Sequence, residues 1–124
     1  MTNIVLDTNI WIYLTTDPFF ELWIRLKEMK ERDEIRVIIN DIILKEWQRN
    51  KANTIKNLAK NIKEEYISAL RLSNYLPEET KAGYLQTVSL YKDEANRIRN
   101  AEERVEEVEA FMMTCKIINT TEKQ

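Results

Sequence analysis

The chain has 124 residues, the usual size of one domain, and a net charge of −2 from 19 Lys and Arg against 21 Asp and Glu residues. This balance does not point to a polyanionic partner. The sequence has no His, one Gly (Gly83) and one Cys (Cys115). These counts exclude a Ser-His-Asp relay, an HExxH zinc site, a glycine-rich nucleotide loop and an intrachain disulfide. Any chemistry must use carboxylates, hydroxyls, amides, Lys or Arg.

Hydropathy and composition predict the cellular location of the protein and its number of domains. No apolar run approaches the ~18 residues of a membrane span. The first residues lack the charged and then apolar segments of a secretory signal. With one unpaired Cys, this predicts a cytoplasmic protein with no membrane partner. No repeat or Gly/Ser linker divides the chain, so we expect one domain over residues 1–124.

The first third of the sequence predicts two short strands separated by helices. Asp17 and Pro18 are typical of a helix N-cap and first helical position. The predicted elements are a strand at 4–6, a helix at 10–14, a helix from 17 to about 32 and a strand at 36–39. A strand, helix, strand order implies a crossover and a parallel pair. Asp7 and Asn40-Asp41 would then lie together at the carboxyl edge of the sheet, where open α/β folds bind their ligands.

The rest of the chain is predicted to be mostly helical. One helix runs from residue 41 to about 75, and another from 77 to about 113. The first is basic and the second acidic, so we expect them to pair as an antiparallel hairpin over about 41–113. Residues 115–118 predict a third short strand.

The last predicted helix also carries an apolar seam at helical spacing. Its members are Leu85, Val88, Tyr91, Ala95, Ile98, Val105, Val108 and Met112. An intramolecular core is the favoured interpretation of this seam, and a self-association surface is the alternative. Likewise Trp11, Trp23 and Trp47 are most simply core aromatics, with base stacking as the alternative if one is exposed beside Glu46.

Two carboxylates are candidate ligands for a divalent cation. Asp7 follows an apolar strand, and Glu46 lies about one and a half helical turns beyond Asn40, so its side chain can lean back toward the same edge. Carboxylates at a sheet edge suit Mg²⁺ or Mn²⁺, which take oxygen ligands. Simpler interpretations are that Asp7 only caps the first helix and that Glu46 lies on a solvated face.

Two stretches of the sequence resemble the PIN-domain nuclease family. Residues 3–12 (NIVLDTNIWI) are similar to the opening of that family, in which the first strand ends in Asp-[Ser/Thr]-[Asn/Ser]. Residues 37–47 (VIINDIILKEW) are similar to its second strand and following helix. There a small polar residue caps the helix and an acid follows six residues later. The resemblance covers about residues 3–60 by motif, and more loosely the helices to about 113.

The resemblance implies a PIN-like α/β/α fold with a small parallel sheet, here with two long C-terminal helices. It also implies a Mg²⁺- or Mn²⁺-dependent ribonuclease. Carried over by position, Asp7 and Glu46 would be the catalytic metal ligands. Thr8 and Asn9 would orient that shell, and Asn40 would cap the helix that carries Glu46. Metal-held water would attack an RNA phosphodiester.

The sequence departs from this family after Glu46. A complete PIN site gathers three or four acids, and no stretch here matches the motifs of the later ones. The remaining acids are typical of solvated helix faces or of the tail; they include Asp93-Glu94, Glu102-Glu103, Glu106-Glu107, Glu109 and Glu122. We therefore expect an incomplete or truncated version of the fold, whose two carboxylates hold a cation weakly unless substrate phosphates complete its shell.

The helix predicted after the second strand carries a basic stripe. Its members are Lys45, Arg49, Lys56, Lys60 and Lys63. The stripe either contacts an RNA backbone or is an ordinary solvated face. Lys51 breaks the pattern, because it falls toward the apolar side of the helix.

Two functional interpretations follow. The leading one is a metal-dependent endoribonuclease of the toxin or RNA-processing type, with RNA as substrate and, for a toxin, an antitoxin as partner. Because the later acids are missing, whether this chain is an active enzyme stays open. The alternative is a non-catalytic helical module or degenerate nuclease fragment that binds a protein or RNA.

Overall fold

The structure, a computed structural model, describes residues 1–119. Within these residues it contains three strands and five helices, in the order β1 (Thr2–Val5), α1 (Thr8–Thr16), α2 (Glu21–Glu31), β2 (Ile35–Asn40), α3 (Asp41–Leu72), α4 (Glu78–Val88), α5 (Glu94–Met113) and β3 (Lys116–Ile118). Short 3₁₀ turns lie at Ser73–Tyr75 and Ser89–Tyr91. The predicted α/β class, with a small parallel sheet and long helices, is confirmed.

The sheet has the strand order β1-β2-β3, and β2 pairs in parallel with both neighbours. Val5 pairs with Ile38 on one side of β2, and Asn40 pairs with Ile118 on the other. The predicted parallel pair is therefore present, and the third strand extends it. All three carboxyl ends lie at one edge of the sheet, since the strands are parallel.

The chain forms two compact units that share two helices. Within the described residues, unit 1 comprises residues 1–52 and 105–119, and unit 2 comprises residues 53–104. The first part of α3 and the last part of α5 therefore belong to unit 1 with the sheet. The structure places the strands, α1 and α2 in unit 1, which is the part that positions the candidate site.

The core of unit 1 lies between one face of β2 and the surrounding helices. Every second residue of β2 is buried, at Ile35, Val37 and Ile39. The other large apolar side chains with almost no exposure are Trp11, Leu14, Trp47, Val105, Val108 and Met112. All three Trp side chains are buried, as predicted, and the C-terminal part of the apolar seam belongs to the interior of the unit.

The ring of Phe111 on α5 brings two helices together in this core. It lies 6.1 Å from the ring of Trp11 and 5.1 Å from the ring of Trp23, centroid to centroid, the latter in an edge-on arrangement. Trp23 also donates its Nε1 hydrogen to Glu107 Oε1 at 2.9 Å. Aromatic pairs of this kind add about 0.5–1.5 kcal/mol beyond area burial, so α5 fixes both α1 and α2.

The start of α2 differs from the prediction. Asp17 and Pro18 do not open a helix; they form a turn in which Asp17 Oδ1 accepts from Phe19 N at 3.1 Å. Asp17 instead ends α1, because its backbone N–H donates to Tyr13 O. Phe20 then takes a left-handed conformation (φ 55°), and α2 begins at Glu21. Asp hydrogen-bonds equally well in an Asx turn and at an N-cap, so the sequence signal was ambiguous.

The second long helix divides into α4 and α5 around Ser89–Tyr91. Side chains from the start of α5 bind the carbonyl groups that this break releases. Arg97 Nη1 donates to Tyr91 O at 2.8 Å and to Lys92 O at 2.7 Å, and Asn96 Nδ2 donates to Leu90 O at 2.8 Å. Arg97 is itself buried. The Arg97 guanidinium thus stabilises the break between α4 and α5 by donating to two carbonyl groups. The apolar seam in the sequence does not show this break.

Unit 2 is held by polar as well as apolar contacts. Tyr84 on α4 donates its hydroxyl to Ala69 O on α3 at 2.8 Å. The buried residues of the unit are Thr54, Leu58, Ser73, Arg97 and Ala101. Ala95 and Ile98, which the sequence placed on the seam, are exposed, whereas Ala101, which was not assigned to the seam, is buried.

Over residues 1–119, none of the helices is long and apolar enough to cross a bilayer.

Leu14→Ala is expected to lower the free energy of unfolding by about 2–5 kcal/mol, since Leu14 is fully buried and its removal leaves a cavity. Chemical denaturation followed by circular dichroism measures the change. Leu22→Ala is the matched control, because Leu22 is 43% exposed on α2 and should cost less than about 1 kcal/mol. Equal costs for the two variants would contradict this assignment of the core.

Candidate active site

The carboxyl edge of the sheet gathers residues from two strand ends. Asp7 follows Val5 by two positions, and Asn40 follows Ile38 by two positions, while Val5 and Ile38 are register partners. Neighbouring strands lie about 4.8 Å apart. Asp7-Thr8 and Asn40-Asp41 therefore meet at one edge, as the sequence predicted.

Asp7 caps α1. Its Oδ1 accepts from Ile10 N at 3.0 Å, and its backbone O accepts from Ile10 N and Trp11 N. The side chain is exposed. The capping interpretation is thus confirmed, and it does not exclude a ligand role, because a carboxylate has about four acceptor positions.

Thr8 connects this strand end to Glu46 on α3. The Thr8 hydroxyl donates to Glu46 Oε1 across 3.4 Å, a long hydrogen bond between residues 38 positions apart in sequence. Thr8 is buried and Glu46 is partly buried. The structure therefore brings Glu46 to the residue next to Asp7, and Glu46 does not lie on a fully solvated face.

Asn40 caps α3 as predicted. Its Oδ1 accepts from Ile43 N at 2.8 Å, which satisfies one of the free N–H groups at the start of the helix. This cap fixes the first turn of α3, and Glu46 lies in the next turn. Asn50 Nδ2 donates to Glu46 O one turn later, a contact that the sequence did not reveal.

Two helix N-termini point at the same edge, those of α1 and α3. Each carries a partial positive charge from its unpaired N–H groups, and this charge favours a phosphate nearby. The oxygen donors at the edge are hard ligands suited to Mg²⁺ or Mn²⁺. Within residues 1–119, however, no three acidic, His or Cys side chains are close enough to form a metal cluster.

The remaining predicted site residues are exposed. Asn9 lies in the first turn of α1 with its side chain at the surface. The stripe residues Lys45, Arg49, Lys56, Lys60 and Lys63 are all exposed on α3. Lys45 and Arg49 belong to unit 1 with Glu46, and the other three belong to unit 2. Trp47, next to Glu46, is 1% exposed and cannot stack on a base.

Glu109 on α5 is the main polar residue that the sequence assigned to a solvated face but that the structure places in a network. It accepts from Trp47 Nε1 at 2.8 Å, Gln48 Nε2 at 3.0 Å and Lys51 Nζ at 2.8 Å. These donors occupy the α3 turn that directly follows Glu46. The sequence offered one sign of this network, since Lys51 falls on the apolar side of the predicted helix. A cation on that side needs an acidic partner, and Glu109 supplies it.

Burial would raise the pKa of Glu109, but the hydrogen bonds from Lys51 and Trp47, the charge of Lys51 and the bond from Gln48 outweigh it, so the pKa lies below its ordinary value of 4.5. The ionised form is therefore the one that the folded protein stabilises.

Comparison with known proteins decides the family. The sequence matches the family described as the PIN domain over residues 4–124. The chain belongs to the PIN-domain family. The match extends well beyond the 3–60 region in which motifs were recognised. A search of curated proteins returned no match, and a search of solved structures also returned none.

Membership indicates a nuclease in general terms. PIN nucleases generally act on RNA and generally use divalent metal ions.

At low pH, protonation of Glu109 is expected to remove the stability that its ionised carboxylate gives to the folded protein. Because its pKa is depressed, the stabilisation is present above about pH 4.5 and is lost as the pH falls through the folded value. Glu109→Gln should therefore lower the free energy of unfolding by about 1–3 kcal/mol at neutral pH and by less near pH 3. Urea unfolding at several pH values measures this.

Glu103→Gln is the matched control for that series, because Glu103 is exposed on the same helix. Its unfolding free energy should follow the wild type at every pH. A pH-independent difference between Glu109→Gln and the wild type would show that the charge of Glu109 does not matter.

Proposed function

We propose that this PIN domain is a metal-dependent endoribonuclease, with Asp7 and Glu46 as the ligands of Mg²⁺ or Mn²⁺. The observation that carries the proposal is the Thr8–Glu46 hydrogen bond. It joins the residue after Asp7 to a carboxylate that is 38 positions away in sequence. A Glu on an ordinary solvated face would not be held in this way.

The donor set suits a hard cation. Proteins often hold Mg²⁺ through one or two carboxylates and leave the other positions to water and substrate phosphates. Asp7 and Glu46 supply the carboxylates, and family membership supports the use of a divalent ion. When bound, the ion would activate water and offset charge on the phosphodiester.

The residues around the carboxylates would orient them and attract the substrate. Thr8 donates to one oxygen of Glu46, and the carboxylate keeps further acceptor positions for a metal ion. Asp7 and Asn40 fix the starts of α1 and α3 through their caps. The two helix N-termini would favour an RNA phosphate there, and the exposed Lys45 and Arg49 would add charge near Glu46.

A protein that cleaves RNA in this way would act in the cytoplasm as a toxin or as an RNA-processing enzyme. As a toxin it would bind an antitoxin. Self-association through the long helices is less favoured for the part of the seam in unit 1. Val105, Val108 and Met112 are fully buried within this chain. Their apolar surface is already used by the fold.

Asp7→Asn and Glu46→Gln are each expected to reduce Mn²⁺-stimulated cleavage of single-stranded RNA by at least about a hundredfold. Asn caps helices as well as Asp does, so Asp7→Asn should keep the unfolding free energy within about 0.5 kcal/mol of the wild type. Cleavage of a fluorescently quenched RNA, with and without Mn²⁺, measures activity. This pair of measurements separates the ligand role of Asp7 from its cap.

Glu28→Gln serves as the control, since Glu28 is exposed on α2 away from the edge. It should cleave like the wild type. RNA cleavage that survives both site substitutions would come from a contaminating nuclease and would remove the proposal.

Thr8→Val is expected to raise the Mn²⁺ concentration for half-maximal cleavage by about 10–100-fold, because the hydroxyl that orients Glu46 is lost. Val has nearly the shape of Thr, so packing is retained. Thr8→Ser keeps the hydroxyl and should restore the metal requirement of the wild type. If Thr8→Val and Thr8→Ser behave alike, the hydroxyl does not position Glu46.

A second candidate is a non-catalytic module that binds RNA or a protein. It is favoured by one observation, that within residues 1–119 no three potential ligands cluster. This candidate predicts RNA binding that weakens with salt, ignores metal and is lost in Lys56→Glu/Lys60→Glu, without any cleavage. Metal-dependent cleavage that requires Asp7 and Glu46 would exclude it.

A further inference from the structure

A groove with a volume of about 490 Å³ lies at the amino edge of the sheet, opposite the carboxylates. It is lined by the first residues of β2 and β3 and by the end of α2. Its three basic side chains are Lys30, Arg36 and Lys116. Val37, the last β2 residue that lines the groove, lies three residues before Asn40, which is about 10 Å at ~3.3 Å per residue. It is a separate feature of unit 1.

The charges in this groove are unbalanced. One carboxylate, Asp33, lines it beside the three cations, which leaves a net charge of +2 among these four side chains. Neither of the ion pairs Lys27–Glu107 and Lys51–Glu109 involves the groove cations. Like charges held near one another repel, so a counter-charge from outside the chain would stabilise them.

Sheet register explains why two of these cations converge. Arg36 lies between the buried Ile35 and Val37, so its side chain is on the exposed face of β2. Ile38, two residues later on the same face, is the register partner of Lys116. Arg36 and Lys116 are therefore diagonal neighbours on one face, within reach of a common ligand.

Lys30 is held in place on the other wall of the groove. Its Nζ donates to Thr114 Oγ1 at 2.6 Å and lies 4.9 Å from the ring centroid of Phe111. Neither contact neutralises its charge. The Thr114 hydroxyl donates in turn to Phe111 O at 2.6 Å, which orients it toward Lys30. The Lys30 ammonium is thus held in position before a ligand binds, so binding costs less side-chain conformational entropy.

We infer that this groove binds a phosphate group, carried either by an RNA strand as a diester or by a free nucleotide as a monoester. Arg36 offers a planar fork that matches phosphate oxygens, and Lys30 and Lys116 offer point charges beside it. The volume accommodates a nucleotide-sized ligand. Phosphate binding here does not depend on Asp7, Glu46 or any metal.

The test compares charge-reversed variants in metal-free buffer. Arg36→Glu/Lys116→Glu is expected to weaken binding of a fluorescein-labelled single-stranded RNA by at least about tenfold at low salt. The slope of log affinity against log salt should become shallower by about 1.4, since each lost phosphate contact on a single strand contributes about 0.7. Both residues are exposed, so the fold should survive; circular dichroism checks this, and Arg36→Gln/Lys116→Gln repeats the test without introducing acids.

Arg25→Glu/Arg71→Glu is the matched control, because it reverses two exposed cations that do not line the groove. It changes the net charge equally and should keep the RNA affinity within about twofold and the salt slope unchanged. If the two double variants lose affinity to the same extent, only net charge matters and the groove proposal is wrong.

The two sources of phosphate are distinguished by titration in metal-free buffer. Isothermal titration calorimetry measures the binding of adenosine monophosphate, and fluorescence anisotropy measures the binding of the labelled RNA. Binding of adenosine monophosphate that is lost in Arg36→Glu/Lys116→Glu would assign the site to a free nucleotide. Binding of RNA alone, with the same dependence, would assign it to the strand. Binding of neither, or binding that both double variants retain, overturns the proposal.

The outcome is also separable from that of the proposed nuclease activity. If Asp7→Asn abolishes cleavage but leaves RNA affinity and its salt slope intact, both proposals stand. If no cleavage is found and the groove still binds phosphate, only the nuclease proposal fails.

Discussion

β2 pairs in parallel with both of its neighbours, and this pairing sets the topology of the PIN domain. Parallel neighbours cannot be joined by a tight turn, so the chain must cross over through helices between β1 and β2 and again between β2 and β3. The first crossover uses α1 and α2, and the second uses α3, α4 and α5. Because all strands run the same way, one edge of the sheet collects their carboxyl ends and the other collects their amino ends. Both proposed sites follow from that polarity.

The polar contacts of α5 turn this topology into a defined site. Glu109 binds the α3 turn that follows Glu46, and Glu107 binds Trp23 on α2. The acidic residues of α5, which the sequence assigned to a solvated face, therefore hydrogen-bond to α2 and α3. The network holds Trp47 buried, and this fixes the neighbouring Glu46 relative to Thr8. The packing of Trp47 against α5 thus helps to position Glu46, the neighbouring residue of α3, at the candidate site.

Much of the fold could be predicted because its signals are local. The strands were found within one or two residues, since short branched apolar runs end at polar residues. The capping role of Asn40 was implied by the resemblance to the PIN-domain family, and the structure confirms it. The start of α2 and the break between α4 and α5 were not predicted, because each depends on a choice between two local hydrogen-bonding patterns. Asp17 makes an Asx turn in place of a cap, and Arg97 reaches back to bind carbonyls that only a broken helix exposes.

Residue types and strand polarity do not depend on packing, so the available chemistry, the order of the elements and the edge at which Asp7 and Asn40 lie were predictable from the amino-acid sequence. Long-range packing was needed to bring Thr8 to Glu46, to place Glu109 against the donors of α3, and to bring Lys30, Arg36 and Lys116 into one groove. Those relations join residues far apart in the chain. Their geometry is set by helix packing and sheet register, which no local pattern specifies.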